Sequence, residues 1–168
     1  MTFSIAGRCA RTGMLGAVVT TSSMAVGGRC AYAQANVGAV LTQHRTDPRL
    51  GPKMLDRLRE GAAPAAILKD FEKTEPGIGW RQLAIIDAKG QAAFFNGSNI
   101  YSVFKGLVGR DCVAVGNIIR NTDVVDAMVK SFEANDAQPL AERLRRRPPR
   151  WRAAGARPAA GRRWPRSF

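Results

Sequence analysis

Side chains able to do chemistry are few in this 168-residue chain, and they lie far apart. Thr2 and Ser4 are hydroxyls at strand spacing, so both point to one face of the segment that begins the sequence. His44 is the sole histidine, and no carboxylate is spaced to orient its ring, so an imidazole general base is not expected. Cys9, Cys30 and Cys112 leave an odd thiol and lack the paired spacing of a zinc site, so neither a metal nor a cofactor is expected. Cys112 reads as a small core side chain. Gln43 ends an apolar run, where its amide could hold a ligand or bridge buried backbone groups. Asp87 and Lys89 read as flanks of a solvated turn, and Asn96-Gly97-Ser98, although it matches a glycosylation sequon, reads as a turn too.

The elements that must position these residues follow from hydrophobic period. Thr2-Phe3-Ser4-Ile5 alternates as a half-buried strand does, and Arg11-Thr12-Gly13 turns it toward a second apolar run, Leu15 to Thr20. A third strand, Val37 to Thr42, follows the pair Gly27-Gly28. Asp47-Pro48 and Gly51-Pro52 then break the strand pattern and introduce two helices, one carrying Met54, Leu55 and Leu58, the next Ala66, Ile67 and Phe71. After Pro76-Gly77 come strands Gln82 to Asp87 and Ala92 to Phe95, joined as a hairpin through Ala88-Lys89-Gly90-Gln91. Cys112 to Val115 makes a further strand. Thr122-Asp123 is expected to cap a helix with Val124, Val125, Met128, Val129 and Phe132 on one face, and Pro139 opens a last helix, Leu140 to Leu144. Strands, helices, strands, helices describe an α+β domain of antiparallel sheet with helices on its faces.

The formal charge of +13 suggests a nucleic-acid or anionic partner, but its distribution does not. Nine of the 26 bases and none of the 13 acids follow Leu144, so residues 1–144 hold 17 bases against 13 acids and present an ordinary surface. Residues 145–168 are Arg, Pro, Ala, Gly and Trp-rich with no helical or strand period, and read as a structureless tail. As a basic arm, the tail would grip phosphates while Trp151 and Trp164 stack on bases; nucleic acid is nevertheless the least favoured partner. Arg8 and Arg11, the run Met14 to Val26 and Ala31-Tyr32-Ala33 imitate a secretory signal, yet Thr20 to Ser23 is too polar for its apolar segment. No run approaches the ~18 apolar residues of a membrane span. A cytoplasmic protein with reduced thiols is the expectation.

The order and spacing of Thr2-Phe3-Ser4-Ile5, Ala25-Val26-Gly27, Gly38-Ala39-Val40, Thr42-Gln43, Thr46 with Pro48 and Gly51, Arg81-Gln82-Leu83-Ala84 with Asp87, and Gly116-Asn117 resemble the bacterial and archaeal proteins of domain of unknown function 1028. That family is grouped with the N-terminal-nucleophile hydrolase fold. The resemblance implies a four-layer αββα sandwich, two antiparallel sheets face to face with helices outside. It implies also that such proteins continue past residue 144 with a leucine- and alanine-rich helix, a glycine-rich turn and more strands. On that comparison Leu140 to Leu144 is the start of a helix cut short, the fold is incomplete at its C-terminus, and the tail is out-of-frame sequence.

What the resemblance implies chemically is amide or peptide hydrolysis of a small-molecule or peptide substrate. The first residue of the mature chain would be the nucleophile and its own α-amine the base, with a pKa of about 7.7–8.0 that needs no tuning. Thr2 fits, since a small second residue permits removal of Met1. Ser4 is an alternative nucleophile or a supporting hydroxyl. Backbone N–H groups at Gly27-Gly28 or the Asn117 amide would serve the oxyanion. Two positions depart from the family pattern: Ser22 stands where a basic residue is usual, and Val115 where Gln is usual. Those departures favour a second reading, a binding or assembly module on the same fold. A homo-oligomer is compatible with either.

Overall fold

In the strand Thr2–Arg8 (β1), alternate residues face opposite ways, with Phe3 and Ile5 packed on helices and Ser4 and Ala6 turned toward a second sheet. That alternation, repeated in each central strand, builds the molecule. A computed structural model describes residues 1–146. The tail beyond Arg146, with Trp151 and Trp164 and the less favoured nucleic-acid reading that rests on them, lies outside these residues.

β1 pairs with Leu15–Thr21 (β2) as the expected hairpin, and Cys112–Asn117 (β8) lies on its other side, followed by Phe104–Gly109 (β7). This first sheet has the order β2-β1-β8-β7. The second sheet comprises Ala31–Gln34 (β3), Gly38–Gln43 (β4), Gln82–Asp87 (β5) and Ala92–Asn96 (β6), in chain order. Every pairing is antiparallel.

Three apolar clusters separate the layers. Ala6, Ala39, Leu41, Ala84, Ile86, Val113 and Val115 fill the space between the sheets. Helices Asp123–Glu133 (α4) and Leu140–Arg145 (α5) cover the first sheet through Val125, Met128, Val129, Phe132 and Leu140. Helices Leu50–Arg59 (α2) and Pro64–Thr74 (α3) cover the second through Met54, Leu55, Leu58, Ile67 and Phe71. The four-layer α+β sandwich is therefore as expected.

Some local details differ from expectation. β3 and β7 have no strong strand signal, because β3 is a four-residue edge strand and β7 carries two glycines. Ala31-Tyr32-Ala33 belongs to β3, preceded by a single turn of helix at Gly27–Cys30 (α1). Thr122 stands at the N-cap of α4 without a side-chain capping bond; Asn121 Oδ1 instead accepts from the Asp123 N–H at 3.3 Å. The Asp87 turn is as expected, its Oδ1 accepting from the N–H groups of Lys89 and Gln91. β7 and β6 edge their sheets on the same side, and Gly106, lacking a Cβ, lets the Phe94 ring lie directly on β7.

Candidate functional site

Strand register brings chain-distant polar residues to one end of the sandwich. In the first sheet, Thr21, Thr2, Asn117 and Phe104 stand level on neighbouring strands. In the second, Gln43, Gln82 and Asn96 do the same. The inward parity that carries Ala6, Leu41, Ala84 and Val115 between the sheets carries Ser4, Gln43, Gln82 and Asn117 there too. Where the hydrophobic interlayer ends, an amide network begins.

Its hub is Gln82, which is fully buried. Gln82 Oε1 accepts from Gln43 Nε2 at 2.6 Å and from Asn117 Nδ2 at 3.0 Å. Its Nε2 donates to Asn96 Oδ1 at 2.8 Å and to the Gly116 carbonyl at 2.9 Å. Ser4 Oγ donates to Gln43 Oε1 at 2.6 Å. The network thus crosses between the sheets at Ser4–Gln43, at Asn117–Gln82 and from Gln82 to the Gly116 and Lys105 carbonyls. Ser4 is wholly buried with its proton committed, which suits it to support its neighbours. Gln43 has both ends of its amide occupied by side chains.

Thr2 lies at the outer margin of this network, half-buried, with its Oγ1 3.0 Å from Thr21 Oγ1. Its cross-strand neighbour Asn117 is 1% exposed, and Asn117 Oδ1 is buried without a partner among the described residues. An unpaired buried acceptor costs about 1–3 kcal/mol, so this atom is an open coordination position beside Thr2. The Asn117 amide nitrogen, by contrast, is committed to Gln82. Met1 N donates to Ser22 Oγ at 3.3 Å, so a hydroxyl lies against the N-terminus.

Backbone strain gathers at the same end. Ile118, immediately after Asn117, has φ of 53°, and His44 and Arg45, immediately after Gln43, have φ of 55° and 43°. Left-handed backbone costs of order 1–3 kcal/mol per non-glycine residue, most for a β-branched one. Each strained residue is held by local bonds. The Ile118 N–H donates to Ser102 Oγ at 3.0 Å, and His44 Nδ1 lies 2.8 Å from the Trp80 carbonyl. The His44 ring stacks on Trp80 and meets Tyr101 edge-on, and Arg45 lies over Trp80 at 4.0 Å.

A family model described as "Family of unknown function (DUF1028)" matches residues 2–147. The chain belongs to that family. Among solved structures, the crystal structure of protein SPO2555 from Silicibacter pomeroyi, also matched to DUF1028, superposes with a TM-score of 0.81 at 30% identity over 85% of this chain. This chain spans 66% of the length of that protein. No curated protein matches it.

In this DUF1028 domain the structure gathers Thr2, Ser4, Gln43 and Asn117, and adds Gln82 and Asn96, which sequence reasoning placed on a strand and a turn only. Their signal was parity: Gln82 occupies the same inward face as Ala84 and Ile86. Gly27 and Gly28 sit apart on the exposed turn α1, with open space where a Cβ would be. A cavity of about 120 Å³ lies on the other face of β1, lined by Phe3, Ile5, Val18 and Met128, away from the Ser4 hydroxyl. Among the described residues no cluster of His, Cys, Asp or Glu could hold a metal ion, and no helix is long and apolar enough to cross a membrane.

Proposed function

We propose that this domain is an amide or peptide hydrolase of the N-terminal-nucleophile type, acting through Thr2. The observation that carries the reading is the buried, unpartnered Oδ1 of Asn117 beside Thr2. With Met1 attached, the Thr2 nitrogen is a peptide amide of no basicity. Removal of Met1 turns it into an α-amine at the same strand position, able to donate to Asn117 Oδ1 and so be fixed against its own Oγ1.

The chemistry is then self-contained. Thr2 Oγ1 attacks the scissile carbonyl carbon while its proton passes to the α-amine, which is near-neutral in pKa and so free to accept it. The resulting ammonium gives that proton to the leaving nitrogen as the C–N bond breaks, leaving an acyl ester on Thr2. Water then attacks the ester, the amine takes its proton, and hydrolysis restores the hydroxyl. Ser4 and Gln43 tie β1 to β4 behind the nucleophile. The N-terminal-nucleophile fold and the substrate class are parts of the same proposal.

A second reading, a ligand-binding module without turnover, is favoured by Ser22 standing where a base is usual. The two separate on purified full-length protein whose N-terminus has been defined by mass spectrometry. Release of 4-nitroaniline from a panel of acyl 4-nitroanilides should be retained by Thr2→Ser and abolished by Thr2→Ala. Equal rates in Thr2→Ala and the parent would leave only the binding module.

A further inference from the structure

We propose that the surface formed by Arg45, Trp80 and Tyr101 binds the carboxylate of an acidic substrate, next to the Thr2 end of the sandwich. The inference rests on the Thr2 reading for its catalytic meaning, and on separate geometry for binding.

Placement comes first. Gln43, whose amide holds Ser4, is followed directly by His44 and Arg45; Gln82, the network hub, is preceded by Trp80 and Arg81. Tyr101 adjoins Ser102, whose hydroxyl receives the Ile118 N–H just after Asn117, and the Val103 carbonyl accepts the Ile119 N–H. Arg45 therefore follows the polar end of β4, Trp80 precedes that of β5, and Tyr101 lies in the loop between β6 and β7 that is bonded to the segment leaving β8.

The arrangement is built and not incidental. Two successive non-glycine residues, His44 and Arg45, adopt left-handed backbone, which chains avoid unless surrounding contacts impose it. The imposed result is a flat stack. His44 lies parallel to Trp80 at 7°, with ring centroids 6.5 Å apart, and the Arg45 guanidinium covers the Trp80 ring at 4.0 Å. Tyr101, 65% exposed, closes the His44 side edge-on.

Charge and stacking together then distinguish Arg45 from Arg120, which is also exposed without an ion pair among the described residues but lies over no ring there. Lys105 is held by Asp126, and Arg29 by Ser23 Oγ and the Met24 carbonyl. Arg49 pairs with Asp47, while Arg81, in the field of that same carboxylate, keeps its Nε buried without a partner among the described residues. Arg45 is exposed, stacked and without an acidic partner among the described residues. A guanidinium flattened on an aromatic ring keeps its edge donors for a planar carboxylate, and loses little side-chain freedom on binding because its plane is already fixed.

The test uses the full-length protein and two readouts. Binding of glutarate is followed by calorimetry at low salt, and acylation is followed by mass spectrometry with 4-nitrophenyl hydrogen succinate against 4-nitrophenyl butyrate. Glutarate should bind, with affinity falling at least about tenfold in Arg45→Ala and less in Arg45→Lys. The succinate ester should acylate Thr2 faster than the butyrate ester, and Arg45→Ala should erase that preference by slowing the succinate ester. Glutarate binding with no acylation of Thr2 by either ester would refute the hydrolase reading and keep the carboxylate site. Equal acylation by the two esters, glutarate affinity unaltered in Arg45→Ala, or inorganic phosphate binding as well as glutarate would overturn the carboxylate site.

Discussion

Replacing Gln82 with leucine keeps an apolar stem and removes both ends of the amide on which the inter-sheet network turns. Two buried donors, Gln43 Nε2 and Asn117 Nδ2, lose their acceptor, and Asn96 Oδ1 loses its 2.8 Å donor. The Gly116 carbonyl loses its contact as well. Each orphaned buried donor costs about 1–3 kcal/mol, so the two together cost about 2–6 kcal/mol, against a gain from leucine burial of no more than about 1–2 kcal/mol. The net loss is a large share of the 5–15 kcal/mol typical of a domain. With a net of about 2–3 kcal/mol at the middle of that range and a urea slope of about 2 kcal/mol/M, the midpoint should fall by about 1 M at unchanged slope. Gln91→Leu, on an exposed turn, is the control. A Gln82→Leu midpoint within about 0.3 M of that control would mean that the network contributes no stability, and the reasoning that makes it a rigid platform for Thr2 would fail.

Ser4→Ala leaves Gln43 Oε1 without its donor and should cost about 1–2 kcal/mol by the same urea assay, with Phe3 and Ile5 packing unaffected. Acid unfolding should expose Asp47. The side-chain bonds from Arg49 hold this carboxyl down to about 2, below its ordinary 3.8, against the opposing effect of burial. Its contribution is present above pH 4 and lost as pH falls from 4 toward 2, so parent stability should fall more steeply across that window than that of Asp47→Asn. Burial, with the Glu133 charge adding to it, pushes the Cys112 thiol up to about 12. Iodoacetamide at pH 8 should therefore leave Cys112 unmodified in the folded protein and alkylate it after unfolding in urea, as peptide mapping would read.

How much of this was legible in the sequence depended on how local each signal is. β1 announces itself by alternation, β2, β4 and β5 as apolar runs bounded by turn residues, and α2 to α4 by apolar spacing. β7 does not, since Gly106 and Gly109 dilute its pattern for the sake of close packing against Phe94 and Val129. Ser4, Gln43 and Asn117 could be named as candidates, but their meeting is a property of register: residues 39 positions apart touch because β1 and β4 face each other in different sheets. Gln82 and Asn96 were hidden for that reason. Asn117 was read as a donor to an oxyanion, whereas its amide nitrogen is spent on Gln82 and its oxygen is the open atom. The Arg45–Trp80 stack was invisible, because it depends on left-handed backbone at His44 and Arg45 that no local residue preference announces.

The central claim is that Thr2, once it begins the chain, is a nucleophile activated by its own amine. Its most direct test is treatment of the full-length protein, freed of Met1, with an electrophilic β-lactone, followed by peptide mapping. The account predicts a single adduct, on the Thr2 hydroxyl, that forms faster as pH rises through the 7–8 range and is absent from Thr2→Ala. An unmodified Thr2 peptide in folded protein whose Met1 has been removed would contradict it.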